Sequence, residues 1–140
     1  MYTIRKLYWY ICRPTTYGVK VALINEGGIW LVKNTYGDSI WNLPGGGFRY
    51  GKETPKVAAL REIKEELTTR GEIRLKKVYK YSQDTEYKKD TVTVFESIYR
   101  GDILVKSREI EEVRYFTFPE TKELRAASSV RKYLRFKGIG

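Results

Sequence analysis

Glu62, Glu65 and Glu66 crowd into five positions of the run REIKEE, in a chain whose formal charge is +10. On a helix, Glu65 falls one position short of a full turn from Glu62, and Glu66 one position past it. The three carboxylates then project within about 100° of arc. Like charges at such spacings repel by roughly 0.2–0.5 kcal/mol per pair. Arg61 is spaced to reach Glu65, and Lys64 lies nearby, but they do not neutralise the set. A solvated acidic face is one reading of this run. Three features favour a functional one. The acids follow Gly45-Gly46-Gly47, where backbone can come close to a ligand. Oxygen-only clusters suit Mg²⁺ or Mn²⁺, hard ions that take carboxylate, carbonyl and water. The positive charge elsewhere attracts the anion on which such a metal acts.

The elements that must position these acids follow from pattern. Tyr17–Ile24 and Ile29–Lys33 are apolar and β-branched around the turn Asn25-Glu26-Gly27-Gly28, which reads as a hairpin. Loop residues run on to Pro44. Thr54 then caps a helix with Pro55 in its first turn, where a missing N–H costs nothing. Val57, Leu60, Ile63 and Leu67 recur at helical spacing as its buried stripe. Ile73–Ser82 and Thr91–Tyr99 read as strands about a polar loop at 83–90, with Val92, Val94 and Ile98 on one side, and Glu112–Phe118 as a further strand. A last helix is expected from Pro119 to about Phe136. Leu124, Ala127, Val130 and Leu134 form its inner stripe, and Lys122, Arg125, Arg131, Lys132 and Arg135 its basic outer face. This order indicates an α/β or α+β sandwich.

Composition narrows the chemistry. The 140 residues suit a single domain over 1–140 with a real core. The chain has no histidine, which closes Ser-His-Asp, Cys-His and His-ligated metal schemes. Its one cysteine, Cys12, excludes an internal disulfide, and a cytoplasmic location is the simplest setting. No apolar run approaches the roughly 20 residues that cross a bilayer, so no membrane is expected. MYTIRKLYWYICRP reads as part of the fold and not as a signal peptide. A pI near 9.6 points to polyanionic partners such as nucleotides or RNA.

The acidic stretch resembles the Nudix box, in which a Gly is followed after five residues by Glu, then after seven by Arg-Glu, an aliphatic, and a Glu pair. Gly47, Glu53, Arg61-Glu62, Ile63 and Glu65-Glu66 stand at those places, and Trp41 to Gly47, WNLPGGG, is also typical of the family. The resemblance implies the Nudix fold: an α/β/α sandwich with a mixed central sheet and a loop-helix-loop motif. It implies an enzyme that splits the diphosphate bond of a nucleoside diphosphate linked to another group. Glu62, Glu65 and Glu66, helped by the Gly46 carbonyl, are then expected to hold Mg²⁺, or Mn²⁺. Glu53 and Arg61 are expected to pair and brace the loop–helix joint. The catalytic base varies in the family: Glu66 is one candidate and Glu109 another, with Glu111 and Glu112 near-equals and Glu96 structural. The family's closing Gly and aliphatic are Thr68 and Thr69 here, and Gly71 is a candidate to end the helix instead.

Specificity is less legible. Tyr87 fits a spacing found in members acting on dinucleoside polyphosphates. Tyr36, Tyr81 and Tyr87 are candidates to stack a base, and Arg49, Lys52, Lys88 and Lys89 to grip phosphates or RNA. The substrate class is a nucleoside triphosphate, a dinucleoside polyphosphate or an RNA 5′ end. A catalytically silent nucleotide-sensing module and an RNA-binding module are the competing readings. Leu7–Ile11 is a candidate homodimer contact.

Overall fold

Ten residues of alternating side-chain direction build the strand on which the molecule is organised. The computed structural model describes residues 15–35, 39–84 and 88–139, and its first element is β1 (Thr15–Ile24). Val19, Val21 and Leu23 point to one face of the sheet and Ala22 and Ile24 to the other, and all five are buried. A strand covered on both faces reads as a nearly continuous apolar run. The turn to β2 (Gly28–Asn34) is held by the Asn25 side chain, whose Oδ1 accepts from the N–H groups of Gly27 at 2.9 Å and Gly28 at 3.0 Å. The expected hairpin is present.

β7 (Lys89–Ile98) pairs parallel with β1 along its whole length, from Thr15 opposite Lys89 to Ile24 opposite Ile98. The other edge of β1 changes partner. Tyr17 to Lys20 pair antiparallel with β4 (Gly45–Phe48), whereas Leu23 and Ile24 pair with β2. Between them the Val21 N–H donates to the Pro44 carbonyl at 2.9 Å. This switch leaves the Leu43–Gly47 bend lodged against the middle of the sheet. β3 (Trp41–Asn42), β6 (Lys76–Asp84) and β9 (Ile110–Thr117) complete a mixed seven-stranded sheet.

Helix α1 (Pro55–Glu66) covers one face and α2 (Ser128–Phe136) the other, giving the expected α/β/α sandwich. The α1 layer gathers Ala58, Ala59 and Ile63 with Val19, Val21 and Phe95. The α2 layer gathers Val130, Tyr133 and Leu134 with Ile29, Leu31, Trp41 and Val94. Among the described residues no helix is long and apolar enough to cross a membrane.

Four expectations are corrected. The buried stripe of α1 runs through Ala58, Ala59, Ile63 and Glu66, while Val57 is 53% exposed. Two adjacent alanines let the helix lie close to the sheet, which a face led by Val57 would not. The strands expected at 73–82, 91–99 and 112–118 run over 76–84, 89–98 and 110–117, so the intervening polar loop is shorter than 83–90. Ile98, at the end of β7, is exposed. The last helix is broken: a 3-10 turn, Pro119–Glu123, precedes an extended link, and α2 starts at Ser128. The reason is competition for backbone hydrogen bonds. The Trp41 N–H donates to Arg125 O at 3.0 Å and Ala127 N–H to Trp41 O at 2.9 Å, so residues 125–127 serve the sheet edge. Tyr133, absent from the expected inner stripe, is fully buried there.

Candidate active site

The helix bearing the acids is fixed at both ends. At the start, the Thr54 hydroxyl accepts from the Val57 N–H at 3.2 Å and its carbonyl from the Ala58 N–H at 3.0 Å, with Pro55 next in line. At the end, Leu67 turns extended and leads directly into a two-residue strand, β5 (Leu67–Thr68), paired with β8 (Leu104–Val105). The Glu66 carbonyl accepts from Lys106 N–H at 2.9 Å and Ser107 N–H at 3.3 Å. Gly71, with φ +72°, lies in the loop beyond and does not end the helix. Thr68 needs no left-handed backbone because it continues as a strand, which suits a β-branched residue.

The glycine bend meets this helix at contact distance. Gly45 has φ +149°, and a Cβ there would stand 2.1 Å from the Val19 carbonyl oxygen. A Cβ on Gly46 would stand 2.7 Å from the Glu62 carboxyl carbon and Oε1. Only glycine lets backbone lie flat against that carboxylate. Gly47 has room, its nearest neighbour being the Tyr17 carbonyl at 3.6 Å.

Arg61 is the hub of the exposed side. Its Nη2 donates to Glu53 Oε1 at 2.7 Å and its Nε to Glu53 Oε2 at 3.2 Å, a two-point clamp between the preceding loop and the helix. Its Nη1 reaches Glu62 Oε1 at 3.1 Å and Glu65 Oε2 at 3.3 Å. The hydrogen bonds to Glu53 hold the guanidinium above its ordinary pKa and the Glu53 carboxyl below its own.

Glu66 has a different environment. It is 7% exposed, and its Oε2 is buried without a hydrogen-bond partner. Burial first, and then the close Glu62 carboxylate, push its pKa up to about 8, while Lys20 and a backbone hydrogen bond from Gly45 pull the other way. Glu62 and Glu66 therefore converge on the sheet, whereas Glu65 turns outward to Arg61. Among the described residues no group of three carboxylates stands gathered for a metal ion. Of the expected ligand trio, Glu62 and Glu66 thus converge and Glu65 turns outward, with Arg61 bonded to both Glu62 and Glu65. The arrangement still fits a hard cation. The donors are all oxygen, one buried oxygen lacks a partner, and Mg²⁺ is commonly held by one or two carboxylates with water and substrate phosphate completing the shell.

The remaining candidates scatter. Arg49 is exposed on a groove of about 480 Å³ with Tyr17, Phe48 and Tyr50, beside Gly47. Lys52 and Lys89 are exposed. Lys88 is exposed too, and it is not free of interactions. Tyr81 is partly buried on the α2 side with the Lys132 ammonium 5.1 Å from its ring centre. Glu109 lies on the loop that Lys106 and Ser107 fasten to Glu66, but its carboxylate has no hydrogen-bond or ion-pair partner among the described residues. Glu111 is exposed, and Glu112 pairs with Lys33 and Arg114. Glu96 accepts from the Tyr133 hydroxyl at 2.7 Å and pairs with Lys137. Tyr36, Tyr87, Leu7–Ile11 and Cys12 lie outside the described residues.

Sequence reasoning missed Lys20. Its Nζ donates to the Leu43 carbonyl at 3.2 Å, and burial lowers its pKa against the opposing pull of Glu66, Glu62 and Asp90. The signal was available: one lysine interrupts the apolar run VKVALI.

Comparison with known proteins gives the arrangement a setting. A sequence model of the NUDIX domain matches residues 14–136. Among solved structures, a MutT NUDIX hydrolase from Burkholderia pseudomallei superposes with a TM-score of 0.73 at 20% identity, covering 88% of this chain and 98% of that one. An Ap4A hydrolase of C. elegans gives 0.68 at 18%, covering 89% and 95%. A bifunctional NMN adenylyltransferase/ADP ribose pyrophosphatase from Francisella tularensis, complexed with AMP and a Mn ion, gives 0.67 at 18%, covering 99% of this chain and 47% of that one. No curated protein matches.

Proposed function

Because this chain belongs to the NUDIX hydrolase family, we propose that it cleaves the diphosphate bond of a nucleoside diphosphate derivative with the help of Mg²⁺ or Mn²⁺. One observation carries the reading. Glu62 and Glu66 are pressed together against a glycine bend, with a buried carboxylate oxygen left unpaired. Natural proteins seldom leave such an atom orphaned without use.

Glu62 and Glu66 would hold the ion, with Gly46 backbone beside them and Glu65 as the outer acid. When bound, the ion neutralises the diphosphate and acidifies the attacking water. The chain's own groups do the rest. Glu66, buried beside Glu62, accepts the proton of the water that attacks phosphorus in line. Glu109, on the loop tied to Glu66, is the alternative base. Arg61 fixes Glu53 and Glu62 so that the bend and the helix keep one geometry. Arg49, beside Gly47, is placed to meet an anionic substrate.

The substrate is a nucleoside triphosphate, a dinucleoside polyphosphate or an RNA 5′ end, and the setting is the cytoplasm. The solved neighbours with MutT, Ap4A hydrolase and ADP ribose pyrophosphatase names support the general class. A second reading, a nucleotide sensor that does not cleave, draws on Glu65 being engaged by Arg61. A panel of nucleotide diphosphates incubated with Mg²⁺ separates the two, read as release of nucleoside monophosphate. Hydrolysis by wild type and its loss in Glu66→Gln support the enzyme. Wild type and Glu66→Gln equally inert, with nucleotide bound by both, support the sensor.

A further inference from the structure

We propose that Lys20 binds the phosphate chain of the substrate from the α2 side of the glycine bend, opposite the acids that serve it from the α1 side. The proposal rests on the hydrolase reading above and adds a residue to that site.

Its place in the sheet is the first argument. Lys20 stands opposite Gly45 on β4 and opposite Val94 on β7. Val19 and Val21 pack into the α1 layer, and Ala22, Val92 and Val94 into the α2 layer, so alternation puts Lys20 on the α2 side. Its Nζ reaches the Leu43 carbonyl, directly ahead of the Pro44–Gly47 bend. One ammonium thus stands on the far side of the backbone that Glu62 touches.

Its poor pairing is the second. An ammonium carries three donors. Among the described residues this one makes a single hydrogen bond, to a neutral carbonyl, and no ion pair. A partly buried charge in this state is costly, and an apolar side chain would continue the apolar run from Val19 to Ile24 at lower cost. Of the nearby acids, Asp90 accepts from the Thr16 hydroxyl at 2.8 Å, Glu62 accepts from Arg61, and Glu66 keeps an unpaired oxygen and forms no ion pair with Lys20. An anion at the bend supplies the missing acceptors, and a diphosphate is the anion this site is built to receive.

Inorganic pyrophosphate serves as the probe, titrated calorimetrically into the full chain with Mg²⁺ present. Lys20→Met is expected to weaken its binding about tenfold or more, the worth of a charge-assisted contact. Mn²⁺ affinity, read by electron paramagnetic resonance, should stay within about twofold, and the melting temperature should not fall. Pyrophosphate affinity unchanged in Lys20→Met overturns the proposal, as does a wild type that does not bind pyrophosphate. Should Lys20→Met fail to fold, wild type labelled at lysine decides. The Lys20 ε-carbon resonance must move on adding pyrophosphate, and one unmoved at saturation overturns the proposal. Hydrolysis failing across the nucleotide panel while Lys20→Met still weakens pyrophosphate binding sinks the hydrolase reading alone.

Discussion

The two helices cover opposite faces of one sheet and treat their polar side chains in opposite ways. On α2 they are answered: the Tyr133 hydroxyl donates to Glu96, Ser129 to Asn42 at 2.8 Å, and Arg131 to the carbonyls of Thr121 and Leu124. On α1 the buried Glu66 faces another carboxylate and keeps an oxygen unpaired. The first pattern is that of an element kept for stability. The second raises the free energy of the empty protein, which makes sense where a ligand later supplies the partner. Active sites are where such departures concentrate.

That contrast can be broken by substitution. Glu66→Gln should lower hydrolysis about 10²–10⁴-fold, the usual worth of a positioned base. Its melting temperature without metal should hold or rise, because a buried carboxyl that must keep its proton beside Glu62 is gone. A large fall in stability with activity retained would reverse the assignment. On the other helix, Leu134→Ala should cost about 2–5 kcal/mol in denaturant unfolding, since the side chain is fully buried. Its kcat/KM, corrected for folded fraction, should stay near wild type. If instead catalysis collapsed in a fully folded Leu134→Ala protein, the division of labour between the faces would be wrong.

The acid pair also predicts a pH dependence in chelator. Burial raises Glu66 from the ordinary 4.5 to about 8, so between those values the folded state keeps a proton that the unfolded chain has released. Unfolding free energy must then fall as pH rises through this window, by on the order of a few kcal/mol. Urea titrations at several pH values should show that slope in wild type and a flatter one in Glu66→Gln. Equal slopes would remove Glu66 as its source. The smallest effect concerns the α2 side, where the Tyr79 hydroxyl is buried without a partner. Tyr79→Phe should be neutral or stabilising by up to about 1 kcal/mol. A clear loss of stability would show that this hydroxyl has a partner, and the orphan on α1 would then stand alone.

Much of the α1 region was readable in advance because its signals are local. A hydroxyl cap, a proline and a glycine bend act over a few residues, and Arg61 reaches Glu65 within a helical turn. The buried stripe passes through Ala58 and Ala59 and not Val57, because two alanines carry little apolar weight in the sequence yet set how closely helix and sheet approach. The far half of the chain was less readable. Residues 125–127 have helix-compatible side chains, but their hydrogen bonds go to Trp41, more than eighty positions away.

The amino-acid order by itself determined that acids, arginine and glycines share one loop and helix, since their spacing along a single regular element is enough to bring them near one another. Only the tertiary structure decided which two acids face the sheet and that Lys20 stands behind the bend. Those outcomes depend on strands distant in the chain, on β1 changing partners between β2 and β4, and on the burial this creates. Burial is a property of the assembled layers, and it is burial that separates an ordinary solvated glutamate from one with an unanswered oxygen.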